Sequence, residues 1–314
     1  MFKGKIMIVS TKINVSEINK NGTPVVIVEG LESFDVGKIF DCGQCFRFDA
    51  VENSTHQKEF SGVALGRFVS FAQDGDKLYI YGSTLDEYER VWRKYLAIDK
   101  DYPQIEREIL ESYESDALKR AVEYGRGIRI LSQDGFECII SFIISQNNNI
   151  PRIKKIIEAL CAKCGEPISI GEEMKKHLSG KSSLCAFPSA QAILELGEQG
   201  LFDLKTGFRA KYIYDAVSKI ADGSLDIEKI YGESDIDSAI EYLSKVKGIG
   251  KKVASCALLF GFEKYDAFPV DVWMKRVAQK YFPEQKELTG EIFGRHAGIA
   301  QQFLFYYARY NGIN

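Results

Sequence analysis

Two periodicities divide this chain. Up to about residue 86, runs rich in β-branched and aromatic residues recur between short polar breaks: KIMIV, TPVVIVEG, CFRFDAV, EFSGVALGRFVSFAQ and KLYIYG. Such runs predict strands, and Asp74-Gly75 between FVSFAQ and DKLYIYG is a hairpin signal. From about Asp86 the apolar residues fall at spacings of three and four, the period of an amphipathic helix. LDEYERVWRKYLAI, DYPQIEREILESY, GFECIISFIISQ, IPRIKKIIEALCAKC, AKYIYDAVSKIADG, DIDSAIEYLSKVKG, GKKVASCALLFGF, DVWMKRVAQKYF and GRHAGIAQQFLFYYARY all follow it. The pattern predicts an α+β protein, with an N-terminal antiparallel β-sheet domain over residues 1–115 and a large all-α domain over residues 116–314.

Composition narrows the class only a little. A hydrophobic fraction of 45% and a charged fraction of 27% over 314 residues are ordinary for a globular protein with a buried core. No apolar run reaches the roughly 18 residues of a membrane-spanning helix, and MFKGKIMIVSTK is too short in apolar residues for a secretory signal. The protein is expected to be intracellular. The seven cysteines are an odd number, which fits reduced thiols better than a disulfide framework. Cys42/Cys45 and Cys161/Cys164 have the spacing of zinc ligands, yet the pairs lie far apart and the second sits within a helical pattern. His56, His177 and His296 have no metal-ligand spacing, so no metal site is expected among these side chains. The net charge of -3 gives no bulk sign of a nucleic-acid binder, though a local basic face is compatible with it.

Such a face is suggested by Lys247-Gly248-Ile249-Gly250-Lys251-Lys252, which lies between two amphipathic helices in the stretch 236–262. Gly248 and Gly250 allow a tight reversal, and the next helix starts with unpaired N–H groups. Those donors, the positive helix end and the lysines form a site for phosphate. An ordinary helix connection with solvated lysines would read the same way. Asp271 follows, before a helical segment, where Asp is also a preferred N-cap.

Taken together, GIGKKVASCALLFGFEKYDAFPVDVWMKRVAQ resembles the helix-hairpin-helix (HhH-GPD) glycosylase superfamily and, within it, the 8-oxoguanine DNA glycosylases. The resemblance runs from CGQCFRF to the C-terminal helix and implies a helix-hairpin-helix glycosylase domain. It places the nucleophile at Lys252 and the catalytic carboxylate at Asp271. A carboxylate stabilises the positive charge that develops on the sugar as an N-glycosidic bond breaks. A lysine amine attacks only in its neutral form. The amine can then form a Schiff base, so the resemblance implies both base excision and strand cleavage by β-elimination.

The same resemblance assigns the base pocket. Cys256, which shares a helix face with Lys252, packs on the flipped base; Gln301 bonds its Watson–Crick edge; and Phe305 stacks on it. Gly43 offers a carbonyl to the N7 proton that 8-oxoguanine has and guanine lacks. Asn147, Arg152 and Arg209 attend the orphaned cytosine, while Phe208 wedges into the duplex. Gly248, Gly250 and Lys251 hold the backbone. Trp273 departs from the family, which often has histidine there.

The expected partner is double-stranded DNA containing 8-oxoguanine, met by a monomer in the cytoplasm or nucleoid of a prokaryote or the nucleus of a eukaryote. No cofactor is expected: no cysteine follows Cys256, as an iron–sulfur relative would require. Family analogy adds a cation on hairpin carbonyls near Ser244, Val246 and Ile249. The alternatives are a superfamily glycosylase for another damaged base and a non-catalytic helix-hairpin-helix DNA-binding protein.

Overall fold

The computed structural model describes residues 13–180, 184–285 and 287–312. The expected strand KIMIV lies outside the described residues. Six strands form one antiparallel sheet: β1 (Asn14–Lys20), β2 (Thr23–Glu29), β3 (Phe48–Ala50), β4 (Lys58–Ala64), β5 (Arg67–Asp74) and β6 (Lys77–Tyr81), in the order β1-β2-β6-β5-β4-β3. The hairpin expected at Asp74-Gly75 is displaced by one residue. Asp74 pairs with Lys77, leaving Gly75-Asp76 as the turn, with Gly75 at φ 59°. Strand β1, which the hydrophobic pattern misses, is polar and largely exposed because it is the sheet edge. Its signal is the Asn21-Gly22 turn, whose φ values of 51° and 86° are those of a tight hairpin.

Both faces of the sheet are covered. On one, Val26, Val28, Phe48, Val69, Phe71, Leu78 and Ile80 pack against helix α1 (Val36–Asp41) and the helical turns that carry Trp92 and Tyr95. On the other, Val25, Val63, Phe68, Ala72 and Tyr81 meet Met174, with Ile168, Ile170 and Leu178 beside it. The chain therefore returns from the helical region to cap the sheet. At that seam the buried Glu59 carboxylate accepts from His177 Nδ1 at 2.5 Å and from Ser70 Oγ at 2.7 Å.

The helical region comprises α2 (Tyr102–Ser112), α3 (Asp116–Gly125), α4 (Gly135–Ser145), α5 (Ile150–Cys164), α6 (Ala190–Leu201), α7 (Ala210–Ala221), α8 (Ile227–Gly232), α9 (Ile236–Leu243), α10 (Lys251–Gly261), α11 (Val272–Tyr281) and α12 (Ala297–Asn311), with shorter turns between them. Its core takes in Tyr102 and Ile109 and, from the loop before β3, Cys42 and Phe46. Helices α4 and α10 run through the middle and are apolar on nearly every side. They approach closely because Gly261 faces Cys138 and Phe142 stacks on Phe260 at 5.4 Å. No described helix is long and apolar enough to cross a membrane.

One buried cation ties the two regions. Arg129 donates to the carbonyls of Ser33 at 3.0 Å, Glu32 at 2.7 Å, Ala97 at 2.6 Å and Lys100 at 3.2 Å, with its guanidinium 4.6 Å from the Tyr102 ring. Arg129→Met keeps much of the volume but strands these carbonyls in a buried setting. It should destabilise the fold by about 3–5 kcal/mol, read as a lower urea midpoint at an unchanged denaturant slope; a loss below about 1 kcal/mol would deny Arg129 this role.

Candidate active site and DNA-facing surface

Lys252 enters α10 at its second residue, just after a hairpin whose geometry is glycine-dependent. Gly248 has φ 79°, and a Cβ there would stand 2.4 Å from the Tyr212 ring, so both conformation and space exclude a side chain. No side chain caps α10 at Gly250, which leaves the first N–H groups of the helix available. The hairpin is strapped to α7, because Asp215 Oδ2 accepts from Lys247 N at 2.8 Å and from Lys219 Nζ at 2.6 Å. Val246 O accepts from Ile249 N at 3.1 Å, while Ser244 O and Ile249 O accept no hydrogen bond from the described residues. That donor set, two free carbonyls and one half-used, fits a hard cation.

Asp271 combines the two readings its position allows. Its Oδ1 caps α11 by accepting from Met274 N at 2.8 Å, yet the residue also lines a pocket with Lys252. Gly43, Cys256, Gln301 and Phe305 line the same pocket, together with Cys42, Phe142, Phe260, Pro269 and Gln302. Residues from the loop before β3, from α10, from the start of α11 and from α12 thus meet in one place. Lys252 also borders a larger open cleft between the hairpin and residues 287–296, so the residue is shared by the two spaces. Burial pushes the Cys256 thiol up; Lys252 pulls it down and Asp271 raises it again, leaving it above the ordinary thiol range.

The pocket walls differ in kind. Gly43 has φ 85°, and a Cβ on it would lie 3.8 Å from Phe305 Cε1 and 4.0 Å from Ile150 Cδ1, in ordinary contact. Its requirement for glycine is therefore conformational rather than steric. Gln301 is only 5% exposed, and its Oε1 has no hydrogen-bond partner among the described residues. Among the described residues no three His, Cys, Asp or Glu side chains are grouped to hold a metal.

Beside the pocket, Gln146 to Asn149 form the polar loop between α4 and α5. Asn147 is exposed at φ 47°, and Asn149 caps α5 through Arg152 N at 3.0 Å. Arg152 is exposed, with Nη2 3.5 Å from Lys205 O. Phe208 is 48% exposed, an unusual position for phenylalanine, and its ring lies 5.9 Å from Tyr212. Tyr212, which sequence reasoning did not single out, thus touches both the hairpin and Phe208.

Arg209 is placed differently from what its expected task suggests. It is 4% exposed and its donors are engaged: Nε with Gln146 O at 2.7 Å, Nη1 with Thr206 O at 3.1 Å, and Nη2 with Asn147 O at 2.9 Å and also Gln146 O. In this arrangement it holds the asparagine loop. Trp273 is half-buried, with the Arg276 guanidinium 5.5 Å from its ring.

These features are shared with known proteins. A family model described as 8-oxoguanine DNA glycosylase, N-terminal domain, matches residues 26–139, and one described as HhH-GPD superfamily base excision DNA repair protein matches residues 140–295. A probable N-glycosylase/DNA lyase of Methanothermobacter thermautotrophicus is 32% identical over 227 residues, which is 64% of this chain and 69% of that protein. A crystal structure of the Clostridium acetobutylicum 8-oxoguanine glycosylase/lyase, in complex with double-stranded DNA containing cytosine opposite 8-oxoguanine, superposes with a TM-score of 0.84 at 36% identity, covering 96% of this chain and 99% of that one. A 3-methyladenine DNA glycosylase of Archaeoglobus fulgidus, at 20% identity and a TM-score of 0.67 over 92% of this chain and 99% of that one, shares the fold alone. With both of its regions matched and a solved relative at 36% identity covered over 99% of its own length, this chain belongs to the 8-oxoguanine DNA glycosylase family of the HhH-GPD superfamily.

Proposed function

We propose that the protein is a bifunctional DNA glycosylase and AP lyase that excises 8-oxoguanine, preferentially opposite cytosine. The observation that carries the base-reading part is the Gln301 Oε1, unpartnered among the described residues and buried in the pocket that holds Lys252 and Asp271. A buried acceptor left alone costs about 1–3 kcal/mol, which a ligand bearing N–H donors relieves. The Watson–Crick edge of an oxidised guanine carries such donors. Phe305 would stack on the base and Cys256 would close its other side. The Gly43 carbonyl would accept from the N7 proton. A base can reach these groups only after leaving the duplex.

In this reading the neutral Lys252 amine attacks C1′ and the base departs with the bonding electrons, taking up a proton. Asp271 stabilises the positive charge on the sugar, and ring opening gives a Schiff base from which the 3′ phosphate is eliminated. The chemistry asks for no cofactor. A hairpin cation on Ser244, Val246 and Ile249 carbonyls would strengthen the phosphate grip of Gly248, Gly250 and Lys251, with no chemical step passing through it. The substrate places the protein in the compartment that holds the genome.

Borohydride should trap a protein–DNA adduct on an 8-oxoguanine duplex, and Lys252→Gln should abolish it; an adduct that persists would move the nucleophile elsewhere. Asp271→Asn keeps a capping side chain, so the thermal midpoint should hold while single-turnover excision falls by about 100-fold or more. An unfolded variant or an intact rate would rule out this double role.

The two arginines should separate. Exposed Arg152 is free to meet the cytosine, with Asn147 and Phe208 filling the hole, whereas Arg209 supports the loop that presents them. Arg152→Ala should therefore narrow the ratio of excision rates opposite C and A by about 10-fold or more, each base contact being worth roughly 1–3 kcal/mol. Arg209→Ala should slow excision opposite all four bases alike. Equal wild-type rates on all four duplexes would sink the cytosine reading and leave the glycosylase intact.

A further inference from the structure

The turn at residues 41–44 presents four successive carbonyls, and three of them receive a side-chain donor. Arg309 Nη1 donates to Asp41 O at 3.0 Å, Gln302 Nε2 to Cys42 O at 2.7 Å, and Gln133 Nε2 to Gln44 O at 2.9 Å. No donor among the described residues reaches Gly43 O. The Gln44 side chain anchors the downstream end: its Nε2 donates to Ile39 O at 2.9 Å and Arg129 O at 2.8 Å, and its Oε1 accepts from Leu131 N at 2.8 Å. The upstream peptide, between Cys42 and Gly43, depends on Gln302.

That peptide is the pivot that matters. A peptide unit is planar, so fixing the Cys42 carbonyl also fixes the Gly43 N–H on the same plane. Glycine is the residue least able to hold its own conformation, and at φ 85° Gly43 receives no steric guidance from a Cβ. A donor at 2.7 Å on the preceding carbonyl is what sets the φ side of this pivot. Gln302 is 2% exposed, so water does not compete for the bond. It also neighbours Gln301 on α12, one turn before Phe305. One helix thus carries the amide facing the pocket, the ring facing Gly43 and the donor that orients the glycine turn.

We propose that Gln302 is a positioning residue for lesion recognition: by holding the Cys42 carbonyl it aims the free Gly43 carbonyl into the base pocket and keeps it in register with Gln301. This rests on the functional reading above. Gln302 touches neither sugar nor phosphate in that reading, so its loss should fall on base recognition far more than on Lys252 chemistry.

Two substrates separate these effects: a duplex with 8-oxoguanine opposite cytosine, and the same duplex with a preformed abasic site. Gln302→Met fills similar volume without a donor. It should slow single-turnover excision of the base at least 10-fold more than it slows cleavage at the abasic site. In a Lys252→Gln background it should also shrink the affinity ratio between 8-oxoguanine–cytosine and guanine–cytosine duplexes by a similar factor. Should the Met variant fail to fold, Gln302→Asn, which draws the donor back by one methylene and stays polar, is measured in its place with the same expectation. Parallel losses on both substrates would make Gln302 a merely structural residue, and undiminished excision would give it no role; either overturns the proposal. A wild-type protein that cleaves abasic sites yet leaves 8-oxoguanine in place would overturn the functional reading itself, a result visible before any variant is compared.

Discussion

A turn that is largely buried must find partners for its peptide groups, and at residues 41–44 those partners come from two distant stretches of the chain, residues 129–133 and helix α12. Gln133 precedes α4, Gln302 and Arg309 belong to α12, and the Gln44 side chain reaches the segment 129–131. Satisfying these groups joins the sheet to the helical region at the point where the pocket lies. Arg129 reinforces the same seam, since its carbonyl receives Gln44 while its guanidinium holds the backbone of the segments that follow β2 and β6. The pocket is thus a by-product of how the two regions are fastened, and a disturbance of the fastening reaches the chemistry without touching Lys252.

Much of this architecture is legible in the sequence. The change of period near Asp86 marks where the strands give way to helices, and the glycines of the hairpin mark where α10 begins. What escapes the pattern has physical reasons. Strand β1 is an edge and carries no buried stripe, so only Asn21-Gly22 betrays it. Helix α1 is a six-residue element whose Asp35 cap looks like any loop aspartate. The return of residues near 168–178 to the sheet is a long-range contact with no local signature.

The site was legible to a different degree. Lys252, Asp271, Gly43, Cys256, Gln301 and Phe305 were named from a resemblance rather than from periodicity, and they converge on one pocket. Tyr212, Asp215 and Gln302 went unnoticed because each works by contacting a residue distant in sequence, Gly248, Lys247 and Cys42 respectively. Arg209 shows the limit most clearly. An arginine in a polar stretch reads as a surface cation, and only the folded chain shows backbone carbonyls converging on its guanidinium.

Cys256 has a chemical consequence in the setting where oxidised guanine arises. Peroxides attack thiolates rather than thiols, and the rate follows the fraction ionised and the access allowed. Burial holds this side chain in its protonated form against the pull of the adjacent Lys252. A thiol with little thiolate and little access is a slow target for sulfenic acid formation, so this wall of the pocket is chemically quiet.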